Sequence, residues 1–193
     1  MPLCLLPLLK HFLSNRDRGV LKSAVLRLTL GGVARADLDR WAELYTRQLL
    51  RSGLYGEALE SIATLRKAQA HLVLLSASPD LYVPLIARAL GFDECICTEV
   101  RWRADARLDG TLKSANRRGA EKARCVRTLL AKHEPPLSQA YGNDPADIEH
   151  LALVSAGIYV NGRPQDVLQM PSIRVVRWST RGDGGTLAPQ SGL

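Results

Sequence analysis

Apolar positions recur at helical spacing as far as about residue 69, after which short apolar runs alternate with further helical stretches. Val20, Leu21, Ala24, Val25 and Leu28 share one predicted helix face, and Gly31-Gly32 ends that helix. Leu38, Trp41, Leu44, Tyr45 and Leu49 form the face of a second helix, with Asp37 as its expected cap. A third, over 57–69, carries Leu59, Ile62 and Leu65. The N-terminal MPLCLLPLLKHFL is expected to be a helix of the fold as well. No basic segment precedes it and no small-residue cleavage site follows it, so it does not read as a signal peptide.

The pattern changes at Leu72. Leu72 to Leu75 predict a buried strand, Ser76-Ala77-Ser78-Pro79 a polar turn, and Tyr82, Leu85, Ile86, Ala89 and Leu90 a helix packed back on the sheet. Asp93 to Val100 predicts a short strand, and Arg101 to Lys113 a hairpin or excursion about an Asp109-Gly110 turn. Gly119 to Lys132 is a predicted helix with Ala120, Ala123, Val126, Leu129 and Leu130 inward, closed by Pro135-Pro136. A strand over Leu137 to Tyr141, a helix over Ile148 to Val154, and strands over Gly157 to Val160 and Ile173 to Trp178 follow. From Ser179 the chain is rich in Gly, Pro and Ser and is expected to be disordered; its Arg181-Gly182-Asp183 carries no functional weight. Alternating strands and helices predict an α/β fold, and a helical block ahead of the first strand is unusual for one.

Composition narrows this modestly. With 193 residues, 46% of them hydrophobic and 23% charged, the chain can build one α/β domain with an insertion. The net charge of +7 suits nucleic acid, an acidic surface or a phosphorylated substrate. No Lys/Arg run resembles a nucleic-acid arm and aromatic residues make up only 5%, so no nucleic-acid partner is expected. A basic nucleic-acid or protein-binding module stays as an alternative, recognisable by strongly salt-dependent binding. Cys4, Cys95, Cys97 and Cys125 form no C-x-x-C pair, which suggests free thiols and a cytoplasmic protein. Cys95 and Cys97 alternate in a strand and are expected to pack on one side. No apolar run approaches membrane-spanning length, so no membrane partner is expected; the oligomeric state stays open.

Three polar clusters fall at strand or helix ends: Ser76, the Asn116 to Lys122 segment, and Asn143 to Asp147. In open α/β sheets, ligands bind at the carboxyl ends of the strands. A hydroxyl there can donate to a phosphoryl oxygen and a lysine can neutralise its charge. An oxygen-rich Gly-Asn-Asp-Pro-Ala-Asp loop suits Mg²⁺. Each cluster also has a plain structural reading: Ser78 or Asp80 as a helix cap, Lys122 in solvent, and the loop as an Asx turn.

Ser76-Ala77-Ser78-Pro79 with Tyr82 and Leu90-Gly91-Phe92-Asp93 resembles the second motif of the haloacid dehalogenase-like phosphatases, in their phosphoserine phosphatase-like branch with a helical cap. Asn116-Arg117-Arg118-Gly119-Ala120-Glu121-Lys122 resembles the third motif, and Tyr141-Gly142-Asn143-Asp144-Pro145-Ala146-Asp147 the fourth. The resemblance runs from about Pro2 to Trp178. It implies a Rossmann-like three-layer parallel sheet (70–178), a helical cap (1–69) and a tail (179–193). It also implies a Mg²⁺-dependent hydrolase of a small phosphorylated metabolite. Ser76, with Ala77, would hold the transferring phosphoryl group, and Lys122 would stabilise its charge. Asn143 and Asp147, with Asp144 beside them, would hold or support the metal. Asn143 stands where the family usually has an aspartate, so metal affinity is expected to be lower.

The family's first motif, a strand ending in Asp-x-Asp whose first aspartate is the nucleophile, has no match. Asp37-Leu38-Asp39 follows Arg35-Ala36 and leads into Arg40-Trp41, so it reads as cap and first-turn charge at a helix start. The first catalytic strand is therefore expected to be missing, leaving its neighbours with unpaired edges. One expectation is that Met1 is an internal methionine and the nucleophile lies upstream. The other is a catalytically inactive pseudophosphatase that binds phosphorylated ligands.

Overall fold

The computed structural model describes residues 18–179. The helix expected over 1–13, Cys4, and all of the tail beyond Ser179 lie outside the described residues. Helix α1 (Arg18–Leu30) stops before Gly31 and Gly32, the latter at φ +82°, where a side chain would be strained. Its inward residues are Gly19 and Leu26, while Val20, Val25 and Leu28, on the expected face, are 55%, 50% and 86% exposed. The face is turned because Lys22, which the apolar pattern counts as outward, points inward to Ala77 and Asn116.

Helix α2 (Arg35–Ser52) buries Leu38, Ala42 and Thr46 and leaves Trp41, Leu44 and Tyr45 about half exposed. Its N-cap is Ala34, not Asp37; Asp37 instead pairs with Arg40 at 3.0 Å, one turn on. Helix α3 (Gly56–Lys67) buries no residue fully. A hairpin of β3 (Val100–Trp102) and β4 (Leu108–Leu112) completes the first core, in which Leu26, Leu38, Val100 and Leu108 pack together. The turn of this hairpin lies at 103–107, with Ala106 at φ 58°, rather than at Asp109-Gly110. Gly110 sits inside β4 at φ +87°, where a Cβ would come within 2.5 Å of the Arg27 Cα. It is glycine because α1 crosses the strand there, which the sequence alone presents as a turn signal.

Strands β1 (Val73–Pro79) and β2 (Glu94–Thr98) are parallel, joined through α4 (Val83–Leu90). Gly91, in the left-handed region at φ 71°, ends α4. Helix α5 (Ala120–His133) leads to a second parallel sheet, β5 (Gln139–Gly142), β6 (Ala156–Val160) and β7 (Ile173–Val176), ordered β5-β6-β7. The short helix α6 (Ile148–Leu151), after a 3₁₀ turn over Pro145–Asp147, packs on α5, β5 and β6. Leu151, Tyr159, Val167 and Ile173 form the core of this half.

The chain is thus the expected α/β fold of parallel strands and helices, with one difference in burial. Leu72 is buried, but every residue of β1 is only half-buried. The cause is pairing: among the described residues β1 is laddered to β2 alone and β5 to β6 alone. Strand β6 is flanked on both sides and buries Gly157 to Val160. Cys97 is buried, and burial first, then the neighbouring Cys95, pushes its thiol up to about 12; Cys95, expected to pack, is exposed.

Candidate active site

The carboxyl end of β1 is shaped by an interruption of its ladder. Leu75 faces Ile96 and Pro79 faces Thr98, so Ser76 to Ser78 bulge out of register. The strand therefore runs through the stretch the sequence marks as a turn. Ser76 Oγ accepts the Ser78 N–H at 3.1 Å. The Thr98 hydroxyl donates to the Ala77 carbonyl at 2.8 Å, and Asp80 N–H donates to the Thr98 carbonyl at 2.9 Å. Neither Ser78 nor Asp80 caps α4: the N-cap is Tyr82, with no side-chain bond, and Asp80 Oδ1 accepts the Val100 N–H at 3.0 Å.

The Asn116 to Lys122 segment crosses beside this bulge. Asn116 Oδ1 accepts from Lys22 Nζ at 2.6 Å, and Lys22 also donates to the Ala77 carbonyl. Burial, then the charge of Arg118, holds the Lys22 ammonium below the ordinary lysine range. Arg117 N–H donates to Thr98 Oγ1 at 3.1 Å, so one buried hydroxyl ties β1 to this segment. Gly119, at φ +55°, turns the chain into α5. One turn on, Lys122 Nζ donates to Asp147 Oδ1 at 2.6 Å, with the two side chains 12% and 7% exposed. Arg118 Nη2 meets Asp144 Oδ1, also at 2.6 Å.

The loop after β5 is built around Asp147. Its Oδ2 accepts backbone N–H groups from Asn143 at 3.1 Å and Asp144 at 3.2 Å. Asp144 Oδ1 accepts the Ala146 N–H at 2.9 Å, closing a reciprocal capping box. Gly142 permits the fold, since a Cβ there would lie 2.5 Å from the Asp147 Cβ. Burial raises the Asp144 carboxyl, but the Ala146 N–H and Arg118 outweigh it and leave it below the ordinary range. His150, buried behind the loop, is lowered to about 4 by burial and then by Lys122, so its ring is neutral near pH 7.

Of the expected site residues, Lys122 and Asp147 meet directly, and Asp144 joins them through its backbone N–H, which donates to Asp147 Oδ2. The plain reading of Lys122 as a solvent-exposed side chain does not hold. Ser76 and Ala77 stand at the same strand ends, connected through Thr98, Lys22 and Asn116. The Asn143 side chain is exposed and only its backbone is engaged. Sequence reasoning missed Lys22, Thr98 and Arg118. Thr98 leaves one signal, a hydroxyl at the end of the apolar run Glu94–Thr98; Lys22 leaves none, being one cation among many on a helix.

A family model of haloacid dehalogenase-like hydrolases matches residues 3–152. The chain belongs to this family. It is 34% identical over 162 residues to Protein CicA of Caulobacter vibrioides, covering 83% of this chain and 72% of that one. A crystal structure of a protein of unknown function from Bordetella pertussis Tohama I superposes with a TM-score of 0.75 at 22% identity, covering 88% of this chain and 78% of that one. A probable phosphoserine phosphatase from Vibrio cholerae superposes with a TM-score of 0.70 at 16% identity, covering 90% of this chain and 51% of that one. At these identities the two structures show a shared fold. By family, the chain is a haloacid dehalogenase-like hydrolase.

Proposed function

We propose that this haloacid dehalogenase-like chain hydrolyses a small phosphomonoester. The observation that carries the reading is the buried Lys122–Asp147 pair, on the helix that follows the Asn116 segment tied to the bulged end of β1. A lysine held in a water-poor site by a fixed carboxylate is preorganised for charge that develops on a phosphoryl oxygen. Asp147 sets the direction of the Lys122 ammonium while two backbone N–H groups fix Asp147 itself. Ser76 Oγ keeps its proton free to donate to a phosphoryl oxygen, since its bond with Ser78 uses a lone pair. Lys22 and Thr98 hold the Ala77 carbonyl and so fix the bulge that presents Ser76.

The loop donors fit a magnesium ion that draws much of its shell from water and substrate phosphate. The exposed Asn143 amide and the Asp144 carboxylate would hold it, with Asp147 supporting the loop, because Lys122 and two N–H groups already occupy the Asp147 oxygens. When bound, the ion would supply charge neutralisation to the phosphoryl group.

The nucleophile of this reading is an aspartate on a strand seated between β1 and β5, which the described residues do not supply. The support is the pairing of those strands, each with one free edge among the described residues, and the helical setting of Asp37 and Asp39. An aspartate oxygen would attack phosphorus, the ester P–O bond would break with the alcohol leaving, and water would then release phosphate from the aspartyl-phosphate. The experiment is phosphate release from a panel of small monoesters by a chain that carries that strand. Turnover should require Mg²⁺ and fall about 10²–10³-fold or more in Lys122→Ala. An unchanged rate in that variant would overturn the assignment. Phosphate binding that Ser76→Ala weakens, with no release, would replace hydrolysis by ligand binding.

A further inference from the structure

A second cluster of chemistry-bearing side chains lies at the opposite end of the β1–β2 ladder. His71 lies two residues before the start of β1, Glu94 opens β2, and His133 is the last residue of α5. At 1.5 Å per residue, His133 lies about 16 Å along the helix axis from Lys122. Both imidazoles aim Nε2 at the same oxygen, Glu94 Oε1, from 3.0 Å for His71 and 2.8 Å for His133. The rings lie 4.4 Å apart at 33°. One ligand atom from each of the three residues falls within 4.8 Å of the others.

Hydrogen bonding alone leaves this arrangement over-subscribed. Lys132 Nζ also contacts Oε1, at 2.7 Å, so three nitrogens converge on one oxygen. A carboxylate oxygen offers about two lone-pair sites. A metal ion reverses the relation, because both imidazoles then present lone pairs and the carboxylate is a third donor. Two imidazoles and a carboxylate, with a position left for water, is a donor set for zinc and its first-row neighbours and not for magnesium. Metal-bound histidines usually turn their other ring nitrogen to a carboxylate. Here His71 Nδ1 faces Asp93 Oδ2 at 3.9 Å, and that oxygen is anchored by the Leu72 N–H at 2.7 Å. A bound anion is disfavoured, since Glu94 stands at the centre.

We propose that His71, Glu94 and His133 form a surface metal site for a zinc-type divalent ion, separate from the Lys122–Asp147 site. The ion would clamp the start of β1, the start of β2 and the end of α5, and Lys132 would swing off Oε1 to admit it. The site does not depend on the phosphatase reading.

The test is titration of the full chain with Co²⁺ as a spectroscopic probe, followed by displacement with Zn²⁺. The expected result is a single set of d–d bands of tetrahedral intensity that Zn²⁺ removes. Losing an outer partner of a metal site already costs about 10–100-fold in affinity, so His71→Gln or His133→Gln should cost at least that. The double variant should lose the bands, Asp144→Asn should keep them, and Lys132→Met should bind more tightly because the competing ammonium is gone. In the unsubstituted chain, substoichiometric Ni²⁺ should broaden amide signals around residues 71, 94 and 133, a readout that needs no variant to fold. Absent Co²⁺ bands, bands that survive the double variant, or broadening confined to residues 143–147 would each overturn the proposal.

Discussion

Helix α5 carries a charged cluster at each end, and the two are built on opposite terms. At its first turn, Lys122 and Asp147 are almost fully buried, with both carboxylate oxygens occupied and a glycine cleared to let the aspartate in. At its last turn, Lys132 and His133 meet Glu94 in the open, with side chains 58%, 30% and 26% exposed. A buried pair is strongly destabilising to break because the survivor cannot be solvated, whereas an exposed pair exchanges its partner for water. Rigidity thus belongs to the first end and adjustability to the second. That division suits the catalytic cation proposed for one end and the ion site proposed for the other.

The contrast is broken most directly by Lys122→Met. It leaves the Asp147 carboxylate buried without a cation and is expected to cost about 3–5 kcal/mol in urea unfolding. Gly142→Ala comes next: its Cβ would meet the Asp147 Cβ at 2.5 Å, and overpacking of this kind costs about 1–3 kcal/mol, readable as a lower thermal midpoint. Thr98→Val tests the link between β1 and the Asn116 segment. It removes the donor to the Ala77 carbonyl and the acceptor of the Arg117 N–H, with an expected loss of about 1–3 kcal/mol. A stability equal to the parent chain would mean that the hydroxyl ties nothing together. Lys132→Met, at the open end, should leave the unfolding midpoint unchanged in metal-free buffer. A large drop there would erase the contrast.

The smallest measurable change is electrostatic. Arg124 first, against the opposing pull of burial, and then Arg117 hold the Glu121 carboxyl at about 2, below its ordinary value. Because the folded value is depressed, this contribution is fully present above the unfolded value of about 4.3 and is lost as pH falls toward 2. Thermal midpoints followed into acid should therefore fall less steeply in Glu121→Gln than in the parent chain. Parallel curves would show that the Arg117 and Arg124 contacts contribute nothing to folding.

Much of this was legible in the chain. The βα alternation after Leu72 predicted the class of fold, and of the residues marked at strand and helix ends Lys122 and Asp147 meet directly. The misreadings share a cause, which is that periodicity counts apolar residues and is blind to what a polar one is needed for. Helix α1 turns its Val20, Val25 and Leu28 outward so that Lys22 can reach Ala77 and Asn116. Gly110 reads as a turn beside Asp109, yet it is a clearance for α1, and clearance is a property of two segments at once. Strand β1 reads as buried from its own apolar run, but burial depends on neighbours, and among the described residues it has one ladder partner.

By itself, then, the sequence determined the order of the elements and the residue types offered at their ends, because hydrophobic spacing and turn chemistry act over a few residues. Only the tertiary structure decided which charges pair in the interior and which stay in solvent. Lys122 and Lys132 lie on one helix, in similar company, and nothing local distinguishes them. What separates them is where α5 runs: its first turn lies under the loop after β5, and its last turn emerges beside the exposed start of β2.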